Sequence, residues 1–503
     1  VGGVTSPRIV LGPPGTGKTT RLLEIVEEQL AAGVPPDRIG YVSFTRRAAT
    51  EAQTRAREKF GLSKSDLPWF RTLHSLCMRC IGAQSATIMD GTRLQEFGDL
   101  VGERISGRFS VADGSYVGYD RGDRMLFMDN MARVRRIPLR QQYEEAHDDI
   151  DWVVVDRFSR SLSEFKSVMG LVDYTDMLEE FVRSGRPPQL EVLVVDEVQD
   201  LSRMQWDVVW LLARQARVFV VAGDDDQAIY VWAGADVSTL INLAGEVSVL
   251  GQSWRVPRRI QTVADGIISR VRARRPKQWA PRADEGVVTQ ATSISEIDWS
   301  GDSVLVLARN QYLLAPVMDE LSSAGVLYEH HGHPSVRQRT MSAIVAWETM
   351  RRGGRVTVAE ARLAYDLMTV GVGVRRGSKT LPRFADEDLV SLADLRESGG
   401  LVATSIWHEA LDKIPPVERA YIIRCRRNQE RLSRPPRVRV GTIHESKGGE
   451  ADRVVLLTDM ATRTYDEALV RPDDEARVWY VAVTRARQEL CVVLPRGPRN
   501  FTL

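Results

Sequence analysis

At 503 residues the chain is longer than one hydrophobic core can organise, and roughly three or four domains are expected. Its 43% hydrophobic and 27% charged content excludes a disordered or fibrous protein, no apolar run approaches the ~20 residues of a membrane span, and no signal-peptide pattern opens it, so a cytoplasmic location without a membrane partner is expected. A net charge of +1 gives no general attraction to polyanions, which confines any nucleic-acid contact to a local groove.

The first predicted strand, Ile9-Val10-Leu11, runs into Gly12-Pro13-Pro14-Gly15-Thr16-Gly17-Lys18-Thr19-Thr20 and then a helix. The spacing G-x-x-x-x-G-K-[ST] between a strand and a helix is that of a phosphate-binding loop. Glycines at 12, 15 and 17 let backbone N–H groups turn inward around phosphate oxygens, Lys18 adds a point charge, and Thr19 offers a hydroxyl to Mg²⁺ at a helix N-terminus that favours anions. Only eight of the 68 Lys and Arg residues are Lys. Lysine at 18 and 447 therefore reads as a need for a compact charge rather than a planar fork.

Gly33 and Pro35-Pro36 end the first helix. A strand over Ile39–Phe44, a helix opened by Thr45-Arg46-Arg47, and a strand Phe70-Arg71-Thr72 leading into Leu73-His74-Ser75 repeat the alternation of a parallel sheet covered on both faces. Residues 76–170 lose the strand runs and read as an inserted helical domain. Within it Arg133, Arg135, Arg136 and Arg140 read either as phosphate contacts or as a solvated helix face. Cys77 and Cys80 form a lone C-x-x-C, which fits packing better than a metal site.

The sheet resumes with Val192–Val195, an apolar strand ending in Asp196-Glu197. Beside a phosphate loop such a pair suits a metal-holding acid, Asp196, and a water-orienting acid, Glu197; the alternative is a cap for the next helix. The strand Val218–Ala222 leads to Gln227, an amide placed to sense a γ-phosphate, and then to Tyr230 and Trp232, which read as base-stacking platforms or as core. A second unit starts near residue 247, with the strand Ser303–Leu307. Residues 311–436 are again mostly helical and hold His330, His331 and His333, for which a loop is expected over a metal site, and an arginine run (Arg424, Arg426, Arg427, Arg431, Arg434, Arg437, Arg439). Strands over Val438–Ile443, Val454–Leu457 and Leu490–Leu494, with a helix over 474–486, complete the pattern.

These motifs, in this order, resemble the UvrD/Rep/PcrA family of superfamily 1 helicases. GPPGTGKTT is similar to motif I, VSFTRRAATEAQTR to Ia, FRTLHSL to Ib, VLVVDEVQD to II, VVAGDDDQAIYVWAGA to III, LGQSWR to IV, VGTIHESKGGEADRVVLL to V and VWYVAVTRARQEL to VI. The resemblance implies an α/β fold of two RecA-like P-loop domains. The first spans 1–75 and 171–248 with a helical insertion at 76–170; the second spans 249–310 and 437–503 with a short insertion at 311–436.

It implies an ATP- and Mg²⁺-dependent translocase or helicase with 3′→5′ polarity, acting on single-stranded DNA and single-strand/duplex junctions in repair, recombination or replication. Lys18, Asp196, Glu197 and Gln227 would serve hydrolysis, with Arg255 and Arg485 as arginine fingers from the far domain. Thr19 and Asp196 would hold the metal, and the loop Gly12–Thr20 with Trp254, Arg255, Lys447, Glu450 and Arg485 would bind the nucleotide. Phe44, Thr45, His74, Tyr230, Trp232, Thr442 and His444 would meet DNA. The sequence departs from the pattern at Ala233, where the family has Arg and looser ATP–DNA coupling is expected, and at Gly449, where an apolar residue is usual. The family's adenine-reading Gln segment has no counterpart in the seven residues before Arg8. The short second insertion and the few residues after motif VI lead to an expectation of weak unwinding without a protein partner.

Overall fold

The computed structural model describes residues 5–44, 46–82, 87–106, 120–184, 186–381 and 383–503, apart from the side chains of Arg46 and Arg47. Uninterrupted apolar strands require cover on both faces, and the chain provides it twice. The first sheet contains β1 (Arg8–Leu11), β2 (Ile39–Ser43), β3 (Phe70–Thr72), β4 (Val192–Asp196), β5 (Val218–Gly223) and β6 (Glu246–Val249), all parallel in the order β3-β2-β4-β5-β1-β6. Alternate side chains divide between two cores. Leu193, Val195, Phe219 and Val221 pack with helices Leu73–Ile81, Tyr174–Ser184 and Arg203–Ala213, and Val192, Val194, Val218 and Val220 pack with helix Lys18–Ala31.

A short parallel pair, β7 (Gln252–Pro257) and β8 (Ala280–Arg282), leads into the second sheet. Its strands are β9 (Val287–Ala291), β10 (Val304–Ala308), β11 (Tyr328–His330), β12 (His333–Pro334), β15 (Val438–Thr442), β16 (Ala451–Leu457) and β17 (Ala486–Val493). Their order is β12-β11-β15-β10-β16-β17-β9, parallel except for the β11–β12 turn. A ribbon of β13 (Val356–Thr357) and β14 (Leu389–Val390) lies outside both sheets.

Each helical insertion has its own core, one reaching from Met89 to Leu171 and the other built around Trp347, Tyr365 and Ile422. Three expected boundaries move. Helix Leu73–Ile81 crosses the expected 75/76 edge because Leu73, Leu76 and Cys77 pack under the first sheet. Val249 belongs to the first sheet through β6, in register with Leu11. Residues 311–334 extend the second sheet rather than opening the insertion, because β11 pairs with β15. The Tyr-Glu-His of β11 has no apolar run to announce a strand.

The four arginines of the first insertion all meet acids, Arg133 and Arg135 half-buried and Arg136 and Arg140 on the exposed surface. Arg133 bonds Asp173 at 2.8 Å and Glu179 at 2.7 Å and also touches Asp176, while Arg135, Arg136 and Arg140 pair with Glu145, Asp207 and Glu144. Lys166 closes the cluster on Asp173 at 2.5 Å and Asp176 at 2.8 Å. Removing one member of a buried ion cluster strands the others, whereas an exposed pair contributes little. Arg133→Ala is therefore expected to cost about 3 kcal/mol of stability, and Arg160→Ala, which loses an exposed pair with Asp156, under about 0.5 kcal/mol, as read by denaturant unfolding.

Candidate nucleotide cleft and nucleic-acid face

Ligand sites in parallel α/β sheets lie beyond the carboxyl ends of the strands, and the phosphate loop leaves β1 there. Gly12 N–H donates to the Gly223 carbonyl at 3.0 Å, tying the loop to β5, and the Thr16 hydroxyl donates to the Pro13 carbonyl at 2.8 Å. Gly15 and Gly17 take φ of +71° and +80°, values that only glycine adopts freely. Helix Lys18–Ala31 then starts with no acid in its first turn, which keeps its N-terminus open to an anion.

Lys18 is held by the acids of β4, at 2.7 Å from Glu197 and 3.3 Å from Asp196. Burial alone would lower its pKa, but the two carboxylates together hold it above the ordinary lysine value. For Asp196 burial prevails and its pKa is raised; for Glu197 the charges of Lys18 and Lys447 outweigh burial and lower it. Glu197 sits at φ +58°, a strained backbone for a residue with a side chain, and the turn aims its carboxylate at the loop. Thr19, half-buried, and Asp196 present the hard oxygen donors that Mg²⁺ takes, so the donor set fits that ion. Thr20, one residue on, is exposed.

The second domain meets the loop directly. The Ser253 hydroxyl donates to the Pro14 carbonyl at 2.7 Å, and Trp254 N–H donates to the Gly15 carbonyl at 2.8 Å while its ring stays 70% exposed. Arg255 bonds Glu450 at 2.5 Å. Arg485, 2% exposed, donates to the Gln227 side-chain oxygen at 2.9 Å and to the Val481 carbonyl at 3.0 Å. Burial and then the neighbouring Arg255 charge push Arg485 down to about 9. Two guanidiniums crowded in this way favour an anion between them. Lys447 donates to both Asp200 oxygens, at 2.6 and 2.5 Å, and to the Gln227 carbonyl at 2.8 Å, and lies 4.8 Å from the Tyr230 ring centre. Burial raises the Asp200 carboxyl to about 6.

The motif spacing did not single out several members of this site. Tyr41 donates its hydroxyl to Asp196 at 3.0 Å. Gln199 donates to Glu197 and accepts the Asp224 N–H at 3.1 Å. Asp224 accepts the Gln227 amide at 2.7 Å, and Asp200 receives Lys447. Their signal was present in the polar residues that crowd the ends of β4 and β5, but it carried no information about partners.

Of the expected nucleic-acid residues, Phe44 and Tyr230 stack at 5.8 Å and Trp232 lies 6.5 Å from Tyr230. Half-buried His74 packs edge-on to Tyr174 at 5.9 Å, and burial holds its imidazole neutral with a pKa of about 4. Trp232 lines a cavity of 1540 Å³ between the first insertion and helix Thr462–Val470, with Met131, Arg135, Arg203 and Arg463. Two of the expected residues are covered in this conformation. Thr442 is fully buried and bonds Glu445, and His444 is 2% exposed beneath Tyr230 and Trp232. Neither side chain is open to solvent in this conformation, because the loop after β15 turns inward. Thr45 lies outside the described residues.

The arginine run is also partly spent inside the fold. Arg424 donates to the Ser322 carbonyl, Arg437 to Glu430 and two carbonyls, and Arg439 to the Glu450 carbonyl, while Arg427, Arg431 and Arg434 stay exposed. His331 pairs with Glu445 at 2.6 Å and His330 faces the Val440 carbonyl at 3.0 Å. Among the described residues no group of three or more His, Cys, Asp and Glu is arranged to hold a metal, and no helix is long and apolar enough to cross a membrane.

A family profile described as the UvrD/REP helicase N-terminal domain matches residues 1–248, and one described as the UvrD-like helicase C-terminal domain matches residues 437–493. The chain is similar to ATP-dependent DNA helicase PcrA of Bacillus subtilis, 24% identical over 353 residues, which are 67% of this chain and 47% of that protein. It is similar also to ATP-dependent DNA helicase PcrA of Staphylococcus epidermidis, 25% identical over 302 residues, covering 54% and 39%. The chain spans about half the length of the curated relatives it matches. A match to a solved structure described as Arterivirus nonstructural protein 10 (helicase) covers 97% of this chain and 59% of that one at 12% identity, with a TM-score of 0.32.

A Cβ on Gly15 would stand 2.3 Å from the Arg255 Cβ and 3.1 Å from its nitrogen. Gly15→Ala is expected to hold the second domain off the loop and to weaken nucleotide binding at least tenfold, on the order of 1.4 kcal/mol or more, measured by equilibrium titration.

Proposed function

Because the chain belongs to the UvrD/REP helicase family, we propose that it hydrolyses ATP in the cleft between its two sheets and uses the cycle to move along single-stranded DNA. One observation carries the reading. Gln227, in the turn after β5, bonds buried Arg485 from the other domain beside Lys18 and the Asp196–Glu197 pair. Whatever occupies the loop is therefore felt by both domains.

The phosphates of ATP take the N–H groups of the Gly12–Thr19 loop and draw Lys18 away from Glu197. Glu197, released, orients and deprotonates the attacking water. Mg²⁺, held by Thr19 and Asp196, supplies charge neutralisation on the outer phosphates when bound. Gln227 reads the γ-phosphate, and Arg255 and Arg485 meet its developing charge, a contribution of ~10³–10⁵ in rate for arginine fingers in phosphoryl transfer. Trp254 and Glu450 complete the nucleotide side, the first as an exposed ring for the base and the second as the anchor of Arg255.

Lys447 links this site to the DNA face through Asp200, the Gln227 carbonyl and the Tyr230 ring. Phe44, His74, Tyr230 and Trp232 line the path, with stacking worth ~1–3 kcal/mol per base. Thr442 and His444 join only in a conformation that uncovers them. The finer proposal adds 3′→5′ movement, preference for single-strand/duplex junctions, work in repair, recombination or replication in the cytoplasm, and a protein partner that improves unwinding. The order of motifs that resembles the UvrD/Rep/PcrA helicases supports it.

ATPase assays with and without single-stranded DNA, and strand displacement on duplexes tailed at either end, test the proposal. Lys18→Ala is expected to abolish hydrolysis while keeping DNA binding, and Glu197→Gln to bind ATP without turning over. Near-normal turnover by either variant, or hydrolysis by the unmodified chain that ignores DNA, refutes the assignment. Arg485→Lys is expected to lose nearly as much rate as Arg485→Ala, since two parallel N–H donors are needed; recovery with Lys would point to charge alone.

A further inference from the structure

Three consecutive carboxylates after β5, Asp224, Asp225 and Asp226, are at most 1% exposed. Their cations come from the other domain, in the segment that follows helix Arg258–Ile268, whose Ile260, Ala264 and Ile267 pack into the second sheet's core. Lys277 Nζ lies 3.1 Å from Asp224, 2.5 Å from Asp225 and 2.9 Å from Asp226, and its side chain is 1% exposed. Arg274 makes a two-pronged bond to Asp226 at 2.8 and 2.5 Å, and Arg275 N–H donates to Asp225 at 2.8 Å. Buried carboxylates without these cations would be driven to their neutral form or out of the fold.

The knot ends at the side chain that would read the γ-phosphate. One Asp224 oxygen faces Lys277, and the other accepts the Gln227 amide N–H at 2.7 Å. With the amide nitrogen so engaged, the Gln227 oxygen is the atom left to meet Arg485, and it does so at 2.9 Å. The Gln227 side chain is thus gripped from the second domain twice, directly by Arg485 and through Asp224 by Lys277, while its backbone carbonyl accepts Lys447 at 2.8 Å.

We propose that Lys277 is a positioning residue for γ-phosphate recognition: by fixing the Asp224 carboxylate it sets the orientation of the Gln227 amide. This rests on the ATP-hydrolysing reading of the cleft, and it adds to that reading a residue outside every loop that touches the nucleotide. The direction of the Asp224 pKa agrees with the geometry. Burial raises it, and the Lys277 charge is the largest influence keeping the carboxylate ionised.

The test is equilibrium binding of ADP and of the non-hydrolysable β,γ-imido analogue of ATP, each with magnesium, to the full chain and to its Lys277→Met and Asp224→Asn variants. The phosphate loop is untouched in both, so ADP affinity is expected to stay within about twofold, while the preference for the analogue over ADP falls about tenfold. The double variant is expected to fall no further than either single one, because both cut the same link. An unchanged preference per folded molecule overturns the proposal, as does an equal loss for both nucleotides or an unmodified chain that does not prefer the analogue. Should Lys277→Met fail to fold, Asp224→Asn decides alone, since it keeps the shape and removes one of three crowded negative charges. Binding needs no turnover, so an ATPase-negative chain would refute the proposed function while leaving this measurement readable.

Discussion

The structure depends on buried carboxylates at the end of one sheet whose counter-charges are carried by the other. Asp200 is met by Lys447, and Asp224, Asp225 and Asp226 are met by Lys277 and Arg274. An unpaired charge removed from water costs several kcal/mol, so these pairs hold the two domains in register more strictly than apolar contact would. The cleft they frame is electrostatically unfinished on its nucleotide side. Lys18 is lent to Glu197, and Arg255 stands close enough to add to the burial that lowers the proton affinity of Arg485. A polyphosphate resolves both conditions in one event, exchanging the Lys18 contact and separating the crowded cations with anionic oxygens.

The scarcity of lysine takes on meaning in this setting. Lys18, Lys166, Lys277 and Lys447, half of the eight in the chain, each sit at a point where two or more carboxylate groups or a carboxylate and a carbonyl converge. A compact ammonium with rotatable donors serves such a point, whereas a planar guanidinium serves a two-oxygen face, as Arg274 does on Asp226 and Arg309 on Glu475. The aromatic face grows from the same contacts. Lys447 spans from Asp200 to the Tyr230 ring, so the surface that would stack bases is tied to the residue that would read the γ-phosphate.

Much of this was legible in residue order, because the physics behind it is local. Glycines at set intervals turn a loop into a cradle, unbroken runs such as Val192–Val195 and Val304–Leu307 demand cover on both faces, and an acid pair at a strand end lies within reach of the loop beside it. Two parallel sheets and two helical insertions followed from such patterns, whereas the nucleotide-facing roles of Arg255, Arg485, Lys447 and Glu450 came only through the motif resemblance. Three boundaries did not, because helix Leu73–Ile81, strand Glu246–Val249 and strand Tyr328–His330 owe their allegiance to neighbours distant in the chain.

The remainder was decided by folding in three dimensions. Arg437 and Arg439 look in the sequence like available cations, but the folded chain uses them to satisfy Glu430 and backbone carbonyls. His444 carries a polar ring that composition would put in contact with solvent, yet the turn after β15 places it beneath Tyr230 and Trp232. Lys277 lies 51 residues beyond Asp226 in an unremarkable segment, and its role exists only because a second domain brings it against three buried acids. Patterns of spacing report what a residue can do within its own turn, strand or loop; which charge answers which depends on desolvation and on contacts between parts of the chain that sequence does not place side by side.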